Sequence, residues 1–195
     1  MTARRVAKLE PASLDHEQRA LYDAIAGGRR SQGRQVFRLV DGAGCLEGPF
    51  NAFLLQPRLG SALQALGSAV RYDTGLDERS REIAILIVAA HWRSEFEWYA
   101  HRAVALSVGL TESDVSALSQ RRYDVLEARE YAVARTVDAL VERADLTDDE
   151  YAEAVAAVGS IGLFELLTLV GYYAALALQL RVFRIGPPDS SGSNA

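Results

Sequence analysis

The chain has 195 residues, of which 49% are hydrophobic and 24% charged, a composition that excludes a disordered or low-complexity protein. The net charge of -5 argues against nucleic-acid binding, because a phosphate-binding surface needs clustered cations. Cys45 is the only cysteine, which excludes an internal disulfide, a Cys-x-x-Cys redox pair and a cysteine zinc cluster. Lys8 is the only lysine and lies near the N-terminus, so Schiff-base catalysis has no plausible nucleophile.

The N-terminal residues lack the apolar stretch of a signal peptide, so we expect a cytoplasmic protein. One later segment, 161–180, is apolar over about one membrane thickness. It contains Glu165, and a carboxylate at the centre of a bilayer is costly. We therefore expect a buried or subunit-interface helix at this segment and no contact with a membrane. Glu165 itself needs a partner wherever it is buried.

The first predicted helix follows Pro11, with Ser13 able to cap its start and Gly27 at its end. Segment 29–51 is rich in glycine and arginine, which predicts a long loop. A second helix is predicted over 52–71. Pro57 inside that range indicates either a kink or the true start of the helix.

A third helix is predicted to open at Asp77, and its segment 83–90 is apolar on every side, as expected for a central helix. The fourth is predicted between Ser94 and Gly109. Capping residues and amphipathic runs predict the remaining helices: one after Thr111, one over 125–143, one after Thr147 and an apolar one from Ile161. No stretch shows the alternation of a β-strand, so the predicted fold is an all-α single domain.

We divide the chain into an N-terminal helix and long loop at 1–47, a helical domain at 48–188 and a disordered tail at 189–195. Helices that are apolar on every side leave hydrophobic surface exposed on an isolated copy of the chain. A homo-oligomer is therefore expected.

Three side chains in the third and fourth predicted helices form the most informative pattern. Glu97 and His101 lie four residues apart on one helix face, and Glu82 can reach the same place if the two helices form an antiparallel hairpin. A carboxylate beside an imidazole orients it and stabilises its charged form, as general acid–base catalysis requires. His91, nine residues after Glu82, points to the opposite helix face.

Structural interpretations of the same residues stay open. Glu97 can close a capping box with Ser94, and His101 can be a hydrogen-bonded core histidine. Glu82 can pair with nearby arginines, namely Arg79 or Arg102. The carboxylates and the imidazole can also suit a transition metal. Cys45, in the long loop, is an open candidate for a reactive thiol.

Longer stretches of the sequence resemble a known family. The runs REIAILIVAAHW, EFEWYAH and ALSVGL, the upstream GPFNAFLLQPRLGSAL and the late ELLTLVGYYAALALQL are similar to the carboxymuconolactone decarboxylase family, which includes the AhpD-type alkylhydroperoxidases. The resemblance spans about residues 48–188. It implies an AhpD-like helical bundle that assembles as a trimer or hexamer.

The peroxidase branch of that family uses a glutamate, two cysteines two residues apart and a histidine four residues after the second cysteine. By the resemblance, Glu82 matches the glutamate and His101 the histidine, while the cysteine positions hold Ser94 and Glu97. A dithiol peroxidase without either thiol cannot form the disulfide of its cycle. Alkylhydroperoxidase or peroxiredoxin-type activity is therefore disfavoured, and the decarboxylase branch fits better.

The resemblance implies a lyase that decarboxylates, or performs a related reaction on, a small carboxylated or carbonyl substrate, with no metal and no cofactor. We expect Glu82, Glu97 and His101 to be catalytic, with His101 as the proton donor or shuttle, Glu97 orienting it and Glu82 as a second acid–base group. Arg93 is expected to bind a substrate carboxylate. Three aromatic residues are expected to form the apolar wall of the substrate site: Trp98, Tyr99 and Phe53. The alternatives are a non-catalytic oligomer with a structural Glu/His network, or a lyase, hydrolase or isomerase for another small carbonyl substrate.

Overall fold

The computed structural model describes residues 3–32 and 37–188, and this part of the chain folds into eight α-helices with no strand. The predicted all-α fold is confirmed. The helices are α1 (His16–Ala26), α2 (Pro49–Phe53), α3 (Pro57–Tyr72), α4 (Glu78–His91), α5 (Glu95–Ser107), α6 (Glu112–Ser119), α7 (Ala128–Arg143) and α8 (Asp148–Phe183). The predicted tail at 189–195 lies outside the described residues.

Most predicted helix starts carry the expected cap. The side chain of Asp77 accepts a hydrogen bond at the start of α4, and Thr111 and Thr147 form capping boxes at the starts of α6 and α8. The prediction for α1 is wrong in detail, because Ser13 lies in a short 3-10 turn. Asp15 caps α1 instead, accepting from the third amide of the helix.

The segment predicted as one loop and one helix is divided differently. The loop region ends in the short helix α2, and α3 begins at Pro57. Pro57 therefore marks the true start of the helix and does not kink it. Proline suits a first helical position because its missing N–H would have no partner there. The Gln56 side chain accepts from the amides of Arg58 and Leu59 and completes the start of α3.

Helix α4 is the centre of the bundle, as its apolar sequence predicts. It packs against α5, α6, α7 and α8, and residues 80–89 are all buried. An ion pair fixes its first turn to α7, with Arg79 Nε 2.6 Å from the carboxylate of Glu130. The same guanidinium donates to the carbonyl of Gly109, after α5.

Helix α8 is long and is interrupted at Gly159, whose φ of 73° and ψ of 169° are not helical. By length and composition α8 passes the test for a membrane span, although the core helix of a soluble protein passes the same test. Glu165 in α8 accepts hydrogen bonds from the amides of Gly75 and Leu76 at 2.9 to 3.2 Å. The Glu165 carboxylate therefore connects the α3–α4 segment to α8, and these hydrogen bonds are the partners that it needs among apolar residues.

Candidate functional site

A tight turn between α4 and α5 brings the predicted Glu/His pattern together. Helix α4 ends at His91, and Arg93 takes a left-handed φ of 51° that reverses the chain. The Nδ1 atom of His101 on α5 lies 2.7 Å from Glu82 on α4, and its Nε2 lies 3.3 Å from Glu97 one turn earlier on α5. The imidazole is thus held between two carboxylates.

All three side chains are removed from solvent. The relative exposure is 2% for Glu82, 3% for Glu97 and 5% for His101. Burial lowers the pKa of His101, but the charges and hydrogen bonds of Glu82 and Glu97 raise it by more, so the net pKa lies above the usual histidine value. In the imidazolium form both ring nitrogens donate, one to each carboxylate.

Beside the imidazole lies a small cavity with a volume of about 20 Å³, room for one water molecule. Glu97 and His101 line it, and Glu82 lies behind the imidazole and does not. The other lining residues are Phe37, Pro49, Phe50, Arg71, Phe96, Ala100, Tyr172, Tyr173 and Leu176. We call this space the His101 cavity.

Arg71, in the last turn of α3, supplies the cation of the His101 cavity. Burial lowers the pKa of Arg71, but Tyr173, Glu82 and Tyr72 raise it, and the net direction is upward. The group therefore stays charged and faces a site that holds two carboxylates. The ring of Tyr173 meets the His101 ring edge-on, with centroids 5.0 Å apart.

The structure does not bring the other predicted site residues to this cavity. Arg93 lines a different cavity, because α4 ends before it and the helical spacing from Glu82 no longer applies. Phe53 is buried against Phe50, and Trp98 packs against the core. Tyr99 is half-exposed beside Phe96.

The His101 cavity is lined instead by residues that the sequence analysis did not assign to the site: Arg71, Phe50, Phe96, Tyr172 and Tyr173. Only the tyrosine pair, inside an otherwise apolar helix, gave a signal in the sequence. Phe50 and Arg71 reach the cavity through the packing of α2 and α3, which no local spacing encodes, and Phe96 lies on α5 next to Glu97.

The structural alternatives for the charged residues are resolved by their partners. The Ser94 side chain makes no capping hydrogen bond, and Glu97 faces His101 instead of closing a capping box. Arg79 pairs with Glu130 and Arg102 pairs with Glu112, so neither neutralises Glu82.

Two other candidate sites find no support. Within the described residues, no group of three or more histidine, cysteine, aspartate or glutamate side chains is arranged to hold a metal ion. Cys45 is a buried free thiol. Burial and the nearby Asp41 carboxylate raise the pKa of the Cys45 thiol, which disfavours the reactive thiolate.

Solved structures share this fold over 72% to 97% of the chain. A peroxidase-related AhpD core protein from Ralstonia eutropha JMP134 superposes with a TM-score of 0.76 at 13% identity, covering 97% of this chain and 94% of that one. The protein of unknown function ATU0492 from Agrobacterium tumefaciens gives 0.66 at 22% identity, covering 72% and 97%. A variant of the debrominase Bmp8, in complex with 2,3,4-tribromopyrrole, gives 0.71 at 11% identity, covering 94% and 91%.

At these identities the structures establish the AhpD-like fold alone. The sequence matches no curated protein. It does match the model of the carboxymuconolactone decarboxylase family over residues 57–139, a range that contains Glu82, Glu97 and His101. The fold, the order of the motifs and this match over 83 of the 195 residues agree: the chain is similar to the carboxymuconolactone decarboxylase family, and it has no Cys-x-x-Cys pair.

Proposed function

We propose that this protein is an enzyme that acts on a small carboxylated or carbonyl substrate by Glu/His general acid–base chemistry, in a decarboxylation or a related lyase reaction. The observation that carries the proposal is the His101 imidazole held between two buried carboxylates beside a cavity. Glu82 and Glu97 raise the pKa of His101, which favours the protonated imidazole that a general acid requires. Arg71 on the cavity wall suits an anionic substrate.

The two carboxylates have different roles in this proposal. Glu82 lies behind the ring, 2.7 Å from Nδ1, and holds the orientation and charge of the imidazole. Glu97 faces the cavity beside Nε2 and relays protons from solvent. This reverses the sequence-based expectation, in which Glu97 orients the ring and Glu82 is the second acid–base group.

The proton balance of the decarboxylation is simple. When the bond to the departing CO2 breaks, its electron pair moves into the conjugated carbonyl of the substrate. A substrate carbon then takes the proton from Nε2 of His101, and the imidazole regains a proton from solvent through Glu97. One proton is consumed for each CO2 released. Because the cavity holds only about one water, in this proposal lining side chains such as Phe37, which meets Phe96 edge-on, must move when a substrate enters.

The test is CO2 release from a panel of unsaturated lactone acids and β-keto acids, with product identification by NMR. We expect turnover of at least one member, and a loss of about 100-fold or more in kcat for His101→Gln and Glu97→Gln. His91→Gln, at the exposed end of α4, is the matched control and keeps full activity. Circular dichroism and unfolding curves establish that each variant is folded.

A second candidate, a structural network without catalysis, is favoured by the small size of the His101 cavity. It predicts no turnover by the wild type and a loss of about 1–3 kcal/mol of stability in His101→Gln, because the buried carboxylates lose their partner. Peroxidase activity stays disfavoured, since Ser94 and Glu97 occupy the positions of the two thiols.

A further inference from the structure

A second cavity, with a volume of about 940 Å³, lies between the N-terminal segment, the α4–α5 turn and the C-terminal end of α8. It shares no lining residue with the His101 cavity. We call it the arginine cavity. Its size is at the upper end of the range of small-molecule sites. Its lining residues are Ala3, Arg4, Lys8, Glu47, Arg93, Ser94, Glu95, Leu180, Arg181, Arg184, Ile185, Gly186, Pro187 and Pro188.

The charge of this lining is opposite to that of the whole chain. Five of its side chains are cationic and two are carboxylates, a balance of +3, whereas the chain carries -5. Glu47 is already held by Lys8, with Nζ 2.5 Å from its oxygen. Arg93 and Arg184 have no ion pair within the described residues, and both take a left-handed φ at a helix end. The cavity therefore presents unneutralised guanidinium groups.

Buried polar atoms without a hydrogen-bond partner concentrate at the same place. Of the five such side-chain atoms in the described residues, three belong to lining residues of the arginine cavity: Arg4 Nη1, Ser94 Oγ and Glu47 Oε2, the last of which lies 3.9 Å from Arg4 Nη2. Ser94 is 1% exposed, and its hydroxyl makes no hydrogen bond to its own helix. A buried hydroxyl in a polar cavity without a protein partner is a group that a ligand can satisfy.

Backbone electrostatics favours an anion in the same cavity. Ser94 stands at the N-terminus of α5, a helix of 13 residues whose first amides carry the positive end of the helix dipole. The C-terminal end of α8 would oppose this with its free carbonyls. The N-terminal segment occupies them, since Arg5 donates its amide to Phe183 and its guanidinium to Val182.

We propose that the arginine cavity is a binding site for a small organic anion. A carboxylate or phosphate group is held by Arg93, Arg184 and the hydroxyl of Ser94. The apolar body of the ligand packs against Leu180 and Ile185, on the same wall of the cavity. This site is separate from the acid–base site, and its existence does not depend on the proposed reaction.

The experiment is isothermal titration of the full chain at low salt with phenyl phosphate, benzoate and inorganic phosphate. We expect saturable binding of phenyl phosphate, benzoate or both, tighter than that of inorganic phosphate, because only the organic probes contact the apolar wall. The ratio of the affinities for phenyl phosphate and benzoate identifies the head group that the site takes. No saturable binding of any probe up to about 10 mM overturns the proposal.

Three variants test the assignment of residues. The double variant Arg93→Ala/Arg184→Ala is expected to weaken binding about tenfold or more, while Arg135→Ala, an exposed arginine of α7, leaves it unchanged. Ser94→Ala is expected to weaken binding about threefold without lowering the Tm of the free protein, because its hydroxyl has no partner to lose. Unchanged affinity in both Ser94→Ala and the double variant contradicts the proposed site.

A last variant separates this site from the acid–base site. His101→Gln removes the proposed proton donor and is expected to bind the probes with wild-type affinity, since the two cavities share no residue. If folded His101→Gln no longer binds them, the anion site is part of the His101 cavity and the proposal is wrong. Failure of the proposed lyase activity leaves these titrations unaffected.

Discussion

At the scale of single residues, His101 is a buried imidazole held between two carboxylates. An imidazole in an apolar core ordinarily loses its proton, because burial penalises the charged form. Here Glu82 and Glu97 reverse that effect, and the positive charge is compensated on both sides of the ring. Protonation of this one side chain is thereby coupled to the packing of α4 against α5.

The raised pKa of His101 predicts how stability depends on pH. A histidine whose pKa is higher in the folded state stabilises the fold fully below its unfolded pKa of about 6.5, and loses that contribution as pH rises through the folded pKa. We expect the free energy of unfolding of the wild type, relative to His101→Gln, to be larger at pH 6 than at pH 9 in urea titrations.

The same prediction has a spectroscopic form. A ¹⁵N NMR titration of the ring nitrogens should give His101 a pKa above the usual histidine value, and Glu82→Gln should lower that pKa. A His101 pKa at or below the usual value in the wild type would contradict this prediction.

At the scale of elements, Gly159 divides α8 with a backbone conformation that is open essentially to glycine alone. An added Cβ meets no atom within 4 Å there, so any cost of Gly159→Ala comes from the backbone. We expect this variant to lose about 1–3 kcal/mol of stability in chemical denaturation.

Gly171 provides the matched comparison in the same helix. It too has open space around an added Cβ, but it lacks the positive φ. Gly171→Ala should therefore gain about 0.5–1 kcal/mol through helix propensity. Equal effects of the two alanines would indicate that α8 straightens without cost.

The elements also show what the sequence can and cannot predict. Asp77, Thr111 and Thr147 cap helices where expected, because capping depends on neighbours within one turn. The Glu82–His101 contact also follows from local order, since a short turn forces α4 and α5 into a hairpin. Arg71 could not be predicted for the site, because its approach depends on how α3 packs against α8.

Arg93 is a residue that the sequence pattern assigned to the site and that the structure places elsewhere. Its spacing from Glu82 suits a continuous helix, but α4 ends two residues earlier and the turn directs the chain elsewhere. Helical periodicity holds only while the helix lasts, and helix ends are the least certain part of a sequence-based assignment.

At the scale of the whole molecule, large apolar side chains remain exposed on a single copy. Ile161 is 78% exposed and Phe164 is 71% exposed, both on α8 after the interruption at Gly159. Other exposed apolar residues lie on or just before α3 and along α8: Leu55, Leu59, Leu66, Leu167, Leu178 and Val182. Clustered exposure of this kind is typical of surfaces that bury themselves against a partner.

We therefore expect the chain to associate with copies of itself through this part of α8, and light scattering on a size-exclusion column measures the assembly directly. The double variant Ile161→Asp/Phe164→Asp should shift the mass towards that of one chain, 21.3 kDa, because a charge buried in an apolar interface lacks a partner. Val125→Asp, at an exposed apolar residue outside the helices, is the control that should leave the assembly intact. Elution of the wild type as a single chain at every concentration tested would show that another partner covers this surface, or none.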